Sequence, residues 1–278
     1  MRSDLYARRE TNACKRAHNE YVRVALILFI GTMLLSRVGA QAPRGTIISG
    51  HPGDVLPIDG QATVLGKTWK DLLGIDLATK PGDYRISSTS ILRVMPKRFP
   101  VRRLTVAPDF VTPPPEAMVQ IAEDNKQTAA IWHRVTPRKW SGAFILPVDD
   151  QATSSFGTRS VFNGQPRSPH TGTDFLSPAG RPIRAANHGT VVLAEPLYFT
   201  GNTVIIDYGD GLYSLFAHLS ELRARQGDSV EPDTIVGLVG ATGRVTGPHL
   251  HWGVRLQGAN VDPLSLVAAT AAKVAAPR

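Results

Sequence analysis

From about residue 190 onward the chain is a succession of short apolar runs: Thr190–Ala194, Thr203–Asp207, Leu212–Ala217, Ile235–Val239 and His249–Val254. Glycine turns separate them, at Gly201-Asn202, at 209–211, at Gly227-Asp228 and at Gly240–Gly243. Parallel strands need a crossover of a dozen or more residues, normally a helix, and no such stretches intervene here. The pattern therefore predicts an antiparallel β-sandwich or barrel over residues 141–267. Composition points the same way. With 25 Gly and 21 Pro among 278 residues and only 7% aromatics, a helical bundle is disfavoured. At 42% hydrophobic and 19% charged, the chain can bury a core and is no disordered segment.

Upstream the signals change. Residues 41–60 are turn-rich, and apolar stretches at Ala62–Leu65 and Tyr84–Ser87 flank the turn signal Pro81-Gly82-Asp83. Together they predict a small all-β module over 41–110. Pro113, Pro114 and Pro115 then break the chain. Pro115 suits a helix start, Glu116–His133 has helix-forming composition, and Pro137 ends it. Residues 111–140 thus read as a helical connector. Lys97–Pro100 reads as part of the same link, packed against the C-terminal region. Residues 268–278 form an Ala-rich tail, helical or frayed, and no internal repeat is visible.

The first 40 residues read as an export signal. Val24–Leu35 is twelve residues without a charge, too short for a comfortable membrane span. It follows a basic, polar start and precedes Val38-Gly39-Ala40, a small-residue cleavage site before Gln41. The polar lead is long for a signal peptide, so an uncleaved membrane anchor is the other reading. This segment holds seven basic and three acidic side chains, half of the net charge of +8. The remainder is only mildly basic, which argues against a nucleic-acid partner and allows weak attraction to anionic cell-surface polymers. The single cysteine, Cys14, lies upstream of the apolar run, so a cleaved chain has no thiol chemistry and no disulfide.

Five of the eight histidines fall between positions 170 and 251: His170, His188, His218, His249 and His251. His249 and His251 are two apart on a predicted strand and so point to one face. His170 and Asp174 are four apart in an extended or looped segment, again on one side, and His218 ends an apolar strand. Two His and one Asp can hold zinc with a position open for water. Such an ion acidifies water and polarises a carbonyl, which amide hydrolysis requires. Two further histidines can move protons or stabilise an oxyanion. Each element also has an ordinary reading: a surface His-x-His, a turn with a hydrogen-bonded Asp, a core histidine. His188, beside Gly189 in a turn, is read that way.

Taken in order, these segments resemble the M23 family of peptidoglycan endopeptidases, of the lysostaphin and LytM type. The resemblance runs over roughly Ser155–Pro263. It rests on the stretches Ser155–Arg159, Asn163-Gly164, His170–Asp174, Gly180–Ala186 with Gly189, Phe216–Leu219, Gly243–Trp252 and Val261–Pro263. It implies a LytM-like β-sandwich in which His170, Asp174 and His251 ligate zinc and His218 and His249 form the catalytic pair. Arg159 and Asn163 match positions near the substrate groove. Phe216 stands where Tyr is common, and Thr171 and Thr173 flank the family glycine, but no ligand position is lost. The implied substrate is the cross-linked stem peptide of peptidoglycan, cut at a bond adjoining a D-amino acid, with an elastin-like or glycine-rich peptide as the alternative. The implied setting is the periplasm or cell envelope, anchored at the inner membrane if the signal is retained, with the protein acting as a monomer.

Two other classes compete with this reading. The segments after Gly189 and Gly227 resemble hairpins of biotinyl or lipoyl carriers, but that chemistry needs a lysine on a tight turn. There is none between Lys139 and Lys273. A non-catalytic LytM-like protein that binds the wall or activates an amidase predicts a lost ligand, and all three are present.

Overall fold

The structure is a computed structural model that describes residues 46–64, 66–106 and 111–275. The expected export signal and Cys14 lie outside these residues. Among the described residues no helix is long and apolar enough to cross a membrane.

The N-terminal part contains strands β1 (Thr46–Gly50), β2 (Val55–Val64), β3 (Lys67–Gly74), β4 (Gly82–Arg85), β5 (Ser90–Val94) and β6 (Val101–Leu104). β5 pairs with β1 in parallel and with β4 antiparallel, while β2 and β3 form a hairpin. The expected turn at 81–83 is instead the start of β4. Asp83 faces Arg93 across β4 and β5, and the Arg93 guanidinium donates two bonds of 2.8 Å to its carboxylate. That bidentate pair fixes an extended backbone where local sequence signals a turn.

Helix α1 (Met118–Trp132) follows a short 3-10 turn at Pro115–Ala117, within one or two residues of the expected bounds. Its apolar face is narrow, with only Ile121 and Ile131 buried. Aromatic and polar clamps add to this: Trp132 meets Tyr213 edge-on at 5.5 Å, Arg255 lies over the Trp132 ring, and the Asp124 carboxylate accepts the Tyr198 N–H at 2.7 Å.

The remaining strands are β7 (Ala152–Ser154), β8 (Arg159–Phe162), β9 (Gln165–Pro166), β10 (Gly172–Phe175), β11 (Pro182–Arg184), β12 (Gly189–Leu197), β13 (Gly201–Gly209), β14 (Leu212–Leu222), β15 (Ser229–Val230), β16 (Ile235–Val239), β17 (Leu250–Leu256) and β18 (Ala259–Val261). The main sheet runs β15-β12-β13-β14-β17-β10-β7 with every pair antiparallel. β14 changes partners along its length. Leu212–Ala217 pairs with β17, whereas Leu219–Leu222 pairs with β16, which in turn carries β11. Switching a strand between layers at a bulge is how sandwich corners are made. The residue at this switch is His218.

Every second residue of β17 is buried, Leu250, Trp252, Val254 and Leu256. Phe216 of β14 stacks on Trp252 with planes 6° apart, and Trp252 donates its indole N–H to Ser214 at 2.9 Å. One apolar cluster extends from these residues through Trp140 and Phe144 to Val55, Trp69 and Leu72 of the N-terminal strands. The Ala-rich C-terminal segment belongs to it too. Helix α2 (Pro263–Ala275) begins directly after β18, buries Leu266 and Ala269, and accepts the Val55 N–H on Ser265 Oγ.

Candidate metal centre

Burying Leu250 and Trp252 turns the alternate residues of β17 to the opposite face, and His251 stands there. On β10 the same alternation buries Thr173 and Phe175 and turns Gly172 and Asp174 to that face. The register makes Asp174 and His251 a direct cross-strand pair, with Gly172 opposite Gly253. Gly172 has a steric reason to be glycine. A Cβ there would lie 2.5 Å from the Trp252 carbonyl oxygen and 2.7 Å from His251 Cε1.

His170 reaches the pair from the loop before β10. Its backbone is tied on both sides, N–H to Thr158 O and carbonyl to Gly157 N–H. Gly157 has φ +80°, and a Cβ there would sit 2.1 Å from the Phe99 ring, so the turn at 155–159 needs glycine on both counts. His170 Nδ1 lies 3.3 Å from Ser155 O, an orientation in which Nδ1 donates and Nε2 is left as a ligand atom.

His170 Nε2, Asp174 Oδ1 and His251 Nδ1 meet at 2.9 to 3.0 Å from one another. Burial raises the Asp174 carboxyl, but hydrogen bonds and charge from His170 and His251 outweigh it and hold the group well below the usual carboxylate range. Burial pushes His251 down toward the neutral form. Two imidazole nitrogens and a carboxylate oxygen converging on one point are the donor set of a catalytic zinc site, and metal binding requires these protonation states. Among the described residues this is the one His/Asp group with ligand spacing.

His218 and His249 flank the triad. Their ring centroids are 4.9 Å apart, and His249 Nε2 lies 3.9 Å from Asp174 Oδ1. Each donates from Nδ1 to a backbone carbonyl, His218 to Thr242 O at 3.0 Å and His249 to Gly247 O at 2.9 Å, which leaves both Nε2 atoms for chemistry. Burial, then the neighbouring His251 and His249, push His218 down to about 3. The backbone of His218 is left-handed, φ +67°, at the bulge where β14 changes partners. A non-glycine residue held in this region signals strain that surrounding structure must fix.

The triad floors a cleft with two arms. Toward α1 lies a cavity of about 310 Å³ lined by Asp124, Thr128, Trp132, Phe199 and His251. On the other side a groove of about 580 Å³ runs past Arg102, Leu104, Phe162, Leu176 and Arg244.

The five residues expected to hold metal or move protons are therefore brought together, and His188 sits apart in the turn before β12. Arg159 and Asn163 are not among the residues lining the groove. Asn163, at φ +49°, uses its side-chain amide to bridge both backbone groups of Val106, accepting at 2.9 Å and donating at 2.9 Å. Arg159 is exposed on β8, its backbone paired with β6. Local sequence carried no signal for Thr242 or for the β6 residues Arg102 and Leu104, because each reaches the site only through tertiary pairing.

Peptidase family M23 matches this chain over residues 168–263. The chain is 41% identical over 101 residues to the DD-carboxypeptidase/endopeptidase Mpg of Neisseria meningitidis serogroup B, covering 36% of this chain and 23% of that protein. It is 36% identical over 121 residues to the peptidoglycan DD-endopeptidase ShyA of Vibrio cholerae, covering 42% and 28%. The matched segment thus spans less than a third of these relatives. A crystal structure of a Pseudomonas aeruginosa protein described as peptidase M23 superposes with a TM-score of 0.61 at 32% identity, over 78% of this chain and 95% of that one.

Proposed function

The chain belongs to peptidase family M23, and from that premise we propose that it is an exported zinc-dependent endopeptidase hydrolysing the peptide cross-links of peptidoglycan. The observation that carries this reading is the convergence of His170 Nε2, Asp174 Oδ1 and His251 Nδ1 to within 3.0 Å at the floor of an open cleft. The names of Mpg and ShyA favour a bond adjoining a D-amino acid. Export rests on reading residues 1–40 as an export signal, which would carry a wall-directed enzyme to the periplasm or envelope.

His170, Asp174 and His251 would hold the zinc. Bound there, it supplies Lewis acidity toward water and the scissile carbonyl. The protein does the rest. The Thr242 and Gly247 carbonyls accept from Nδ1 of His218 and His249, which leaves Nε2 of each for the chemistry. One of the pair accepts the proton of the attacking water and returns it to the leaving amine, and the other steadies the charge that develops beside it. Leu104, Leu176 and Phe199 give the cleft apolar walls along which an extended peptide can lie.

Digestion of purified peptidoglycan by the purified protein, with and without chelator, tests this reading. Cross-linked dimers should fall and monomers rise, the chelator should stop the reaction, and added zinc should restore it. Intact dimers with a full complement of metal would overturn the endopeptidase and leave a non-catalytic wall protein.

A further inference from the structure

Beside His170 a cavity of about 510 Å³ is lined by three arginines from three separate elements, Arg102, Arg167 and Arg244. Arg102 lies on β6, opposite Ser160 in the parallel pairing of β6 with β8. Arg167 follows β9, with its guanidinium over the Phe162 ring at 5.9 Å. Arg244 lies in the loop that also carries Thr242, with its guanidinium over the Phe199 ring at 4.4 Å. Burial first, then the charge of Arg167, lowers Arg244 from its ordinary value, as expected where two guanidinium groups crowd a partly buried space.

Three features make this a built subsite. Among the described residues no carboxylate forms an ion pair with Arg102 or Arg167. The position of Arg167 over the Phe162 ring engages its guanidinium face and not its N–H edge, which suits bidentate recognition of a planar anion. The Thr158 and Ser160 side chains, both nearly buried, face the same cavity and add hydroxyl donors. Since His170 lines this space as well as the groove, an anion held here sits next to the triad.

We propose that Arg102, Arg167 and Arg244 form a carboxylate-binding subsite that selects stem peptides bearing a free carboxylate close to the scissile bond. The inference rests on the peptidoglycan reading above, because a cross-linked stem offers such groups as a chain-terminal carboxylate and as the side-chain carboxylate of its diamino acid. The subsite is a cationic contact of the groove distinct from Arg159.

The test compares a defined cross-linked muropeptide dimer with two derivatives, one amidated at the terminal carboxylate and one at the diamino-acid carboxylate. Wild type should show KM raised about tenfold or more for one derivative, with kcat changed by less than about twofold. The derivative that suffers identifies the group bound. Arg102→Gln/Arg167→Gln, a change on exposed and half-buried positions, should show the raised KM on the unmodified dimer and no further penalty on amidation. An amidation penalty as large in the variant as in wild type would overturn the subsite. Should wild type cleave none of the three, the endopeptidase reading fails separately. Calorimetric binding of the dimer then decides, since carboxylate-dependent affinity lost in the double variant supports the subsite and indifference to amidation overturns it.

Discussion

Asp174 and His251 face each other as a direct cross-strand pair between β10 and β17, with Oδ1 2.9 Å from Nδ1. Alternation along both strands puts the two side chains on one face while Phe175, Leu250 and Trp252 are buried on the other. A one-residue slip would carry His251 into the core and Trp252 out to the cleft. The centre is therefore held by the same register that packs the sandwich, and its geometry is as rigid as the core beneath it.

Gly172 is where that coupling is tightest. Gly172→Ala forces a Cβ against the backbone carbonyl of Trp252, at 2.5 Å, and against the His251 ring. We expect a loss of about 1–3 kcal/mol of stability and sharply weakened metal binding, read by thermal unfolding and elemental analysis. A variant with native metal content and native activity would show that the close approach is unimportant.

The left-handed backbone of His218 makes a second prediction. His218→Gly and His218→Ala should both lose turnover. Glycine relieves the strain at φ +67° and should leave the protein about 1 kcal/mol more stable than alanine does. Denaturant unfolding of the two variants checks this, and an alanine variant of equal or greater stability would remove the strain argument.

The protonation states predict acid sensitivity of the metal-free protein. His218 and His251 are pushed down by burial, and Asp174 is held low by its hydrogen bonds. Depressed groups bind protons later in the folded state than in the unfolded one, so their stabilisation is present above the unfolded value and lost below it. The melting temperature should fall from about pH 6.5, the ordinary histidine value, on toward the His218 value of about 3. His218→Asn should flatten the upper part of that slope. A melting temperature that rises on acidification over this range would have the wrong sign.

Asn163 gives a prediction that separates structure from substrate contact. Its amide joins β8 to the end of the β6 segment through Val106. Asn163→Ala should cost about 1–3 kcal/mol for the unsatisfied backbone groups and increase hydrogen exchange over residues 97–106. Unchanged exchange with a raised KM would instead support the position near the substrate that the family pattern implies for Asn163.

Much of this was legible in local sequence, for physical reasons. β12, β13, β14, β16 and β17 are apolar runs bounded by glycine turns, so their existence could be read directly, and His170/Asp174 and His249/His251 share faces at short spacings. β3 escaped because the adjacent Leu72 and Leu73 break the alternation, both buried in a cluster that includes residues distant in sequence such as Val261 and Trp140. His218 was expected at a strand end and lies within β14, since the bulge that lets the strand continue depends on its partners β13 and β16. The cationic wall was hidden for the same reason: Arg102, Arg167 and Arg244 share no local pattern, and only the parallel pairing of β6 with β8 brings the first of them to the cleft.

The central claim is tested most directly by metal content in three proteins measured side by side: wild type, His251→Ala and His249→Ala. Wild type and His249→Ala should each carry about one zinc per chain, as a three-ligand catalytic site requires, with turnover confined to wild type. His251→Ala should carry none and be inactive. Zinc retained by His251→Ala, or absent from wild type, would contradict the assignment of His170, Asp174 and His251 as the metal centre.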